Sequence, residues 1–161
     1  MNSRERVIRA ITFDHPDRIP VDSWCMKSAI YKYGHVLEDA IKKYAVDIYT
    51  PDFKNHFFSD QKREPGIYTD GWGCTWHNFK RGIIGEVKVY PLSDYSRLST
   101  YKAPYDLLKL GWENVDSSIK ANRDKFILTP WSIDIFERMQ YIRGTEQLFI
   151  DLAEESIEVL K

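Results

Sequence analysis

A chain of 161 residues with 43% hydrophobic and 29% charged residues can bury one core and is too apolar to stay disordered. Its 23 basic and 24 acidic residues leave a net charge of −1, spread evenly, which excludes the basic footprint of a nucleic-acid binder. No run approaches the ~20 apolar residues of a membrane-spanning helix. The amphipathic start MNSRERVIRAI also lacks the apolar stretch of an export signal, so Cys25 and Cys74 read as reduced thiols of a cytoplasmic protein.

Ser3 is the expected N-cap of a first helix over Arg4 to Thr12, with Val7, Ile8 and Ile11 on one face. Pro16 and Pro20 then bracket an extended connection, and Ile19 to Trp24 reads as a first strand. Helical spacing returns over Ser28 to Tyr33 and Val36 to Tyr44, broken at Gly34. Ala45 to Tyr49 is the second expected strand. From Phe53 to Pro91 the helical period disappears, and aromatic and β-branched residues punctuated by glycines predict antiparallel hairpins. Ser93 to Leu98 and Trp112 to Asn122 look helical again. Lys125 to Pro130, KFILTP, reads as a third strand of the fully buried type. Ser132 or Asp134 caps the next helix, and Thr145 caps a last one whose Leu148, Phe149, Leu152 and Ile157 face inward.

Strands separated by helices imply parallel pairing with right-handed crossovers. An open doubly wound sheet should carry a Gly-rich phosphate turn after its first strand, and none follows Trp24. A (β/α)8 barrel needs no such turn. Because about 250 residues make a whole barrel, the expected fold is α/β, the amino-terminal portion of a TIM barrel. On this reading residues 1–161 form one partial domain, with a β-hairpin insertion at about 54–92 between strands two and three. Unpaired strand edges then predict either further chain or a homo-oligomer that covers them.

Asp22 falls at the carboxyl end of the first strand, where barrel enzymes place catalytic groups. It is read as a carboxylate that orients substrate or takes a proton, or as a helix cap. Asp52, two residues past the second strand, is the other catalytic candidate, whereas Asp47 within that strand points at the helical layer. Trp24, Lys27, Trp72 and Trp131 are the candidate substrate-binding residues, and Trp131 directly follows strand three. Cys74 and His77 have a metal-like spacing, but positions i and i+3 of an extended strand face opposite ways. Zinc would also need two more ligands. Trp72, Cys74 and Trp76 instead read as an apolar cluster bracing the hairpin or forming a lip over the barrel mouth.

The opening SRERVIRAITFDHPDRIPVD resembles the amino terminus of the uroporphyrinogen decarboxylase superfamily. DGWGCTW with GEVKVYPLSDYSRLSTYKAP, and RGTEQLFIDLAEE, resemble later segments of its decarboxylase-like and methyltransferase-like members, in the same order. The resemblance implies a (β/α)8 barrel with its chemistry at the carboxyl ends of the strands. It also implies one of two activities: decarboxylation of a tetrapyrrole without cofactor, or methyl transfer between a corrinoid protein and a zinc-held thiol.

True decarboxylases follow their first Pro-Val with an arginine-bearing segment that grips substrate carboxylates, but here DSWCMKSAIYKYG follows. Lys27 is the cation at that spot, and lysine cannot reproduce a bidentate guanidinium grip. An active-site tyrosine of the decarboxylases is replaced by Phe136. The expectation is therefore a small-molecule methyltransferase working with a corrinoid protein. Its zinc is implied on residues outside this sequence, with no cofactor held by this segment. The alternatives are cofactor-free decarboxylation of uroporphyrinogen or a related carboxylate, and a catalytically silent half-barrel acting as a binding or assembly module.

Overall fold

Residues 1–44, 46–51, 63–109, 111–129 and 134–154 are described by the computed structural model of the chain. They form a mixed α/β arrangement of six α-helices and two small sheets, neither of them closed. The chain divides into two units, Met1–Lys54 with Leu110–Pro130, and Asn55–Lys109 with Trp131–Lys161. Among the described residues no helix is long and apolar enough to cross a membrane.

In the first unit, α1 spans Ser3–Ile11 and is capped one residue earlier than its sequence suggests. Asn2 Oδ1 accepts from Glu5 N–H at 2.8 Å, and Glu5 Oε2 accepts from Asn2 N–H at 3.1 Å. This reciprocal box satisfies two otherwise orphan donors of the first turn. Helices α2 (Lys27–Tyr33) and α3 (His35–Lys43) meet at Gly34, where the broken spacing predicts the break.

Strand β1 (Ile48–Tyr49) pairs in parallel with the later strand Phe126–Ile127, as the strand–helix alternation predicts. Ile48 lies opposite Phe126 and Tyr49 opposite Ile127. Helix α1 lies against both strands, and its Arg4 N–H donates to Asp124 O at 2.8 Å.

Two expectations fail in this unit. Ile19 to Trp24 is not a strand. Pro20 has no N–H to give, and Val21 N–H donates to the Asp47 carboxylate at 2.9 Å rather than to a main-chain carbonyl. One backbone bond, Asp47 N–H to Val21 O at 2.8 Å, still ties the segment beside β1. KFILTP is also not a fully buried strand: Phe126 and Ile127 are half-buried and Leu128 is exposed. Among the described residues its two-residue ladder has one strand neighbour.

In the second unit, β2 (Gly66–Thr69), β3 (Thr75–Asn78) and β4 (Glu86–Val89) form an antiparallel sheet in sequence order, the hairpins that the glycine-punctuated stretch predicts. Tyr68 lies opposite Trp76, and Trp76 opposite Val87, so three large side chains form one buried row across the sheet. The Tyr68 and Trp76 rings stack 6.2 Å apart with 4° between their planes. Gly85 is required where β4 begins, because a Cβ there would sit 2.3 Å from His77 O.

The later elements of the chain are α4 (Val115–Ala121) and β5 (Phe126–Ile127, the partner of β1) in the first unit. In the second are α5 (Ile135–Arg143) and α6 (Thr145–Ala153). Asp134 caps α5 by accepting from Glu137 N–H at 3.2 Å. Thr145 does not cap α6; Gly144 holds that position at φ +94°, where a Cβ would also meet the Tyr90 ring at 3.5 Å. Of the residues expected to face inward from α6, Leu148 is buried, whereas Phe149 and Leu152 are exposed. Ile157 lies outside the described residues.

Candidate functional site

In the first unit, the Pro-Asp-Arg-Ile-Pro-Val stretch is fastened by an ionic cluster around Asp47, whose side chain is 0% exposed. Arg6 reaches from α1 with a two-point grip on Asp17, Nε to Oδ1 at 2.6 Å and Nη2 to Oδ2 at 2.9 Å. Its remaining nitrogen, Nη1, donates to Asp47 Oδ1 at 2.6 Å. Arg18 grips Asp47 at both oxygens, at 2.6 and 2.9 Å. Arg6, Arg18 and Val21 N–H together give the buried carboxylate four hydrogen bonds, the pairing an interior charge needs. Burial alone would raise the Asp47 pKa. Hydrogen bonds from Arg18, Val21 N–H, Ser3 and Arg6 outweigh it and hold the group well below the usual carboxylate range.

The cluster dictates an acid response. The hydrogen bond from Arg6 is the main reason that Asp17 is lowered from 3.8 to about 2. A carboxylate depressed on folding stabilises the protein above its unfolded pKa and loses that contribution as pH falls through the folded one. Stability is thus expected to be lost between about pH 4 and pH 2. In thermal melts across this window, Asp17→Asn should show a shallower fall than wild type. Equal slopes would contradict the role assigned to Asp17.

Past this anchor, the candidates Asp22 and Trp24 stand on the exposed segment leading into α2, and Lys27 is the exposed first residue of that helix. Asp22 does not cap the helix: its carboxylate accepts from Ser23 N–H at 2.8 Å, while Met26 precedes α2 with no side-chain cap. Trp24 is 77% exposed. Asp52 and Trp131 lie outside the described residues. Asp47 is not a pocket residue, in agreement with its expected inward direction.

The second unit is organised around Asp70, which the sequence reading did not single out. Its Oδ1 accepts from Trp72 N–H at 2.9 Å and Cys74 N–H at 3.0 Å, and its Oδ2 from Trp76 Nε1–H at 2.9 Å and Arg138 Nη1–H at 3.3 Å. The legible signal was Asp-Gly-Trp-Gly, an aspartate opening a glycine turn. The Arg138 guanidinium also lies over the Trp72 ring at 4.8 Å and the Tyr141 ring at 5.4 Å. This arrangement joins the sheet to α5.

Cys74 is part of that core. It is fully buried, its thiol donates to Tyr141 O at 3.2 Å, and burial pushes its pKa up to about 12. A thiol-reactive probe at neutral pH is expected to label the half-buried Cys25 in the native protein and Cys74 only after denaturation. Labelling of both thiols at equal rates would contradict the packing. The bracing cluster read from the sequence is present, with Trp72 packed against Tyr68, Cys74, Trp76 and Val87.

Trp72 also lines an open cleft of about 460 Å³ in this unit, together with Tyr90, Tyr101, Arg97 and Lys102. Tyr101 Oη–H donates to Trp72 O at 3.0 Å, and burial pushes the phenol up to about 12, so the hydroxyl stays a donor. Of the six predicted site residues, the structure places Trp72 in a concavity, Asp22 and Trp24 on the exposed segment before α2, and Lys27 at the exposed start of that helix.

Among the described residues no group of three His, Cys, Asp or Glu side chains is arranged to hold a metal ion. No protein-family model matches the chain, and no curated protein or solved structure matches it either.

Proposed function

We propose that the chain supplies the first strand–helix units of a (β/α)8 barrel enzyme of the uroporphyrinogen decarboxylase superfamily, acting in corrinoid-linked methyl transfer to a thiol. The observation that carries this reading is the use made of the motif behind the resemblance. Arg18 of that motif and Arg6 grip Asp47, and Asp17 of the motif clasps Arg6. The anchor fixes Val21 beside β1 and leaves Asp22 as the next side chain beyond it. Asp22 then orients the thiol substrate or takes its proton, and Trp24 and Lys27 contact the substrate. Zinc would activate the thiol as its thiolate, and a corrinoid protein would bring the methyl group.

The same observation weighs against decarboxylation. Arg6 and Arg18 are engaged with carboxylates of the protein itself, which leaves Lys27 as the nearby cation for a substrate carboxylate. The test is thiol-dependent demethylation of methylcobalamin by the full protein carrying this sequence, followed by cobalamin absorbance. Turnover supports the reading. No demethylation, with release of CO2 from uroporphyrinogen instead, would overturn it.

A second reading, an assembly module, is favoured by the exposed apolar side chains Phe13 at 91%, Ile19 at 83% and Trp24. It predicts a stable homo-oligomer by light scattering. An active monomer would dismiss it.

A further inference from the structure

We infer that the cleft beside β4 in the second unit binds a planar aromatic anion, a role that goes beyond the proposed methyl transfer and does not depend on it. Three aromatic residues, Trp72, Tyr90 and Tyr101, line the space, and such walls favour a flat, unsaturated ligand. Two cations, Arg97 and Lys102, line it as well, and no acidic residue does. Both cations are exposed, and among the described residues neither side chain makes a hydrogen bond or ion pair.

That freedom sets them apart from other arginines of this unit. Arg143 is clasped by Asp151 at 2.6 Å and by the carbonyls of Leu92 and Ser93, and Arg138 by Asp70. Those guanidiniums hold the fold together, whereas Arg97 and Lys102 keep their donors for a ligand.

The walls are also fixed in place. Trp72 is held from below by its N–H bond to Asp70 and by its contact with Arg138, and Tyr101 is tied to Trp72 O. Gly73, at φ +82°, takes the turn beside Pro91, where a Cβ would touch the proline ring at 3.4 Å. A preformed aromatic wall costs little ordering on binding.

The charged group of the ligand is a carboxylate or a phosphate, since Arg and Lys serve both. Calorimetric titration of the full protein with naphthalene-2-carboxylate, its neutral carboxamide and adenosine monophosphate separates the cases. At low salt, at least one of the two anions is expected to bind about tenfold more tightly than the carboxamide, and the preference should shrink as salt screens the cations. Tighter binding of adenosine monophosphate identifies phosphate as the preferred group, and tighter binding of the naphthoate identifies carboxylate. Arg97→Gln with Lys102→Gln, both at exposed positions, should remove the preference for the anion and leave carboxamide binding unchanged. Absence of binding by both anions at millimolar concentration would overturn the inference. So would equal affinity for anion and carboxamide, or a double variant that behaves as wild type.

Discussion

Asp47→Ala is expected to lower the unfolding free energy by about 3 kcal/mol, because it strips the partner from two guanidiniums and leaves Val21 N–H without its acceptor. The expected cost sits at the low end for a broken interior ion pair because Arg18 is partly exposed and water can reach it. Arg6 has no such relief, although Asp17 still answers part of its charge. In urea unfolding followed by circular dichroism, the midpoint should fall by about 1–3 M at an unchanged slope. A double change, Asp47→Leu with Arg6→Met, should restore part of the loss, since an apolar replacement removes the need for pairing. A midpoint within error of wild type would mean that the Asp-Arg anchor does not hold the amino-terminal segment.

The second large effect is expected at Trp76. The residue is 1% exposed, stacks on Tyr68, meets Tyr141 edge-on at 4.8 Å, and donates to Asp70. Trp76→Ala should cost about 4 kcal/mol through lost packing and the void left behind. Trp76→Phe keeps most of the ring contacts and removes the indole N–H, for a cost of about 1–2 kcal/mol. Trp24→Ala, at an exposed position, should stay within about 0.5 kcal/mol of wild type. The three melts form a ranked set. If Trp24→Ala destabilised as much as Trp76→Ala, the placement of the core on the three-stranded sheet would be wrong.

The contrast between these tryptophans shows what local pattern does and does not reveal. Glycine punctuation and β-branched runs announced the antiparallel sheet, and the helix break at Gly34 was legible for the same local reason. The pairing of β1 with β5 followed from strand–helix alternation, which is a rule of connectivity. The Ile19–Trp24 segment misled because an extended, proline-flanked stretch does not reveal where an N–H goes. Val21 donates to a side chain 26 positions away, and no short window contains that bond. Thr145 misled in a similar way: Gly144 meets the backbone demand, so a hydroxyl cap is not used.

The candidate site was legible in part. Trp72 stood out as a large aromatic between glycines, and it lines the cleft. Arg97 and Lys102 carried no signal, because surface cations in a short 3-10 stretch and the loop after it resemble any solvated turn. Asp70 was hidden because its partners include Arg138, 68 positions away. The Asp47 direction was legible from strand alternation, but its partners Arg6 and Arg18 come from other elements.

The most direct measurement compares wild type and Asp22→Asn in thiol-dependent demethylation of methylcobalamin, with melting temperature recorded for both. The expected result is turnover by wild type, abolished by a chelator, and a fall of about 100-fold in kcat for Asp22→Asn at unchanged melting temperature. An Asp22→Asn variant that turns over like wild type, or a wild-type protein inert toward methylcobalamin, would contradict the account.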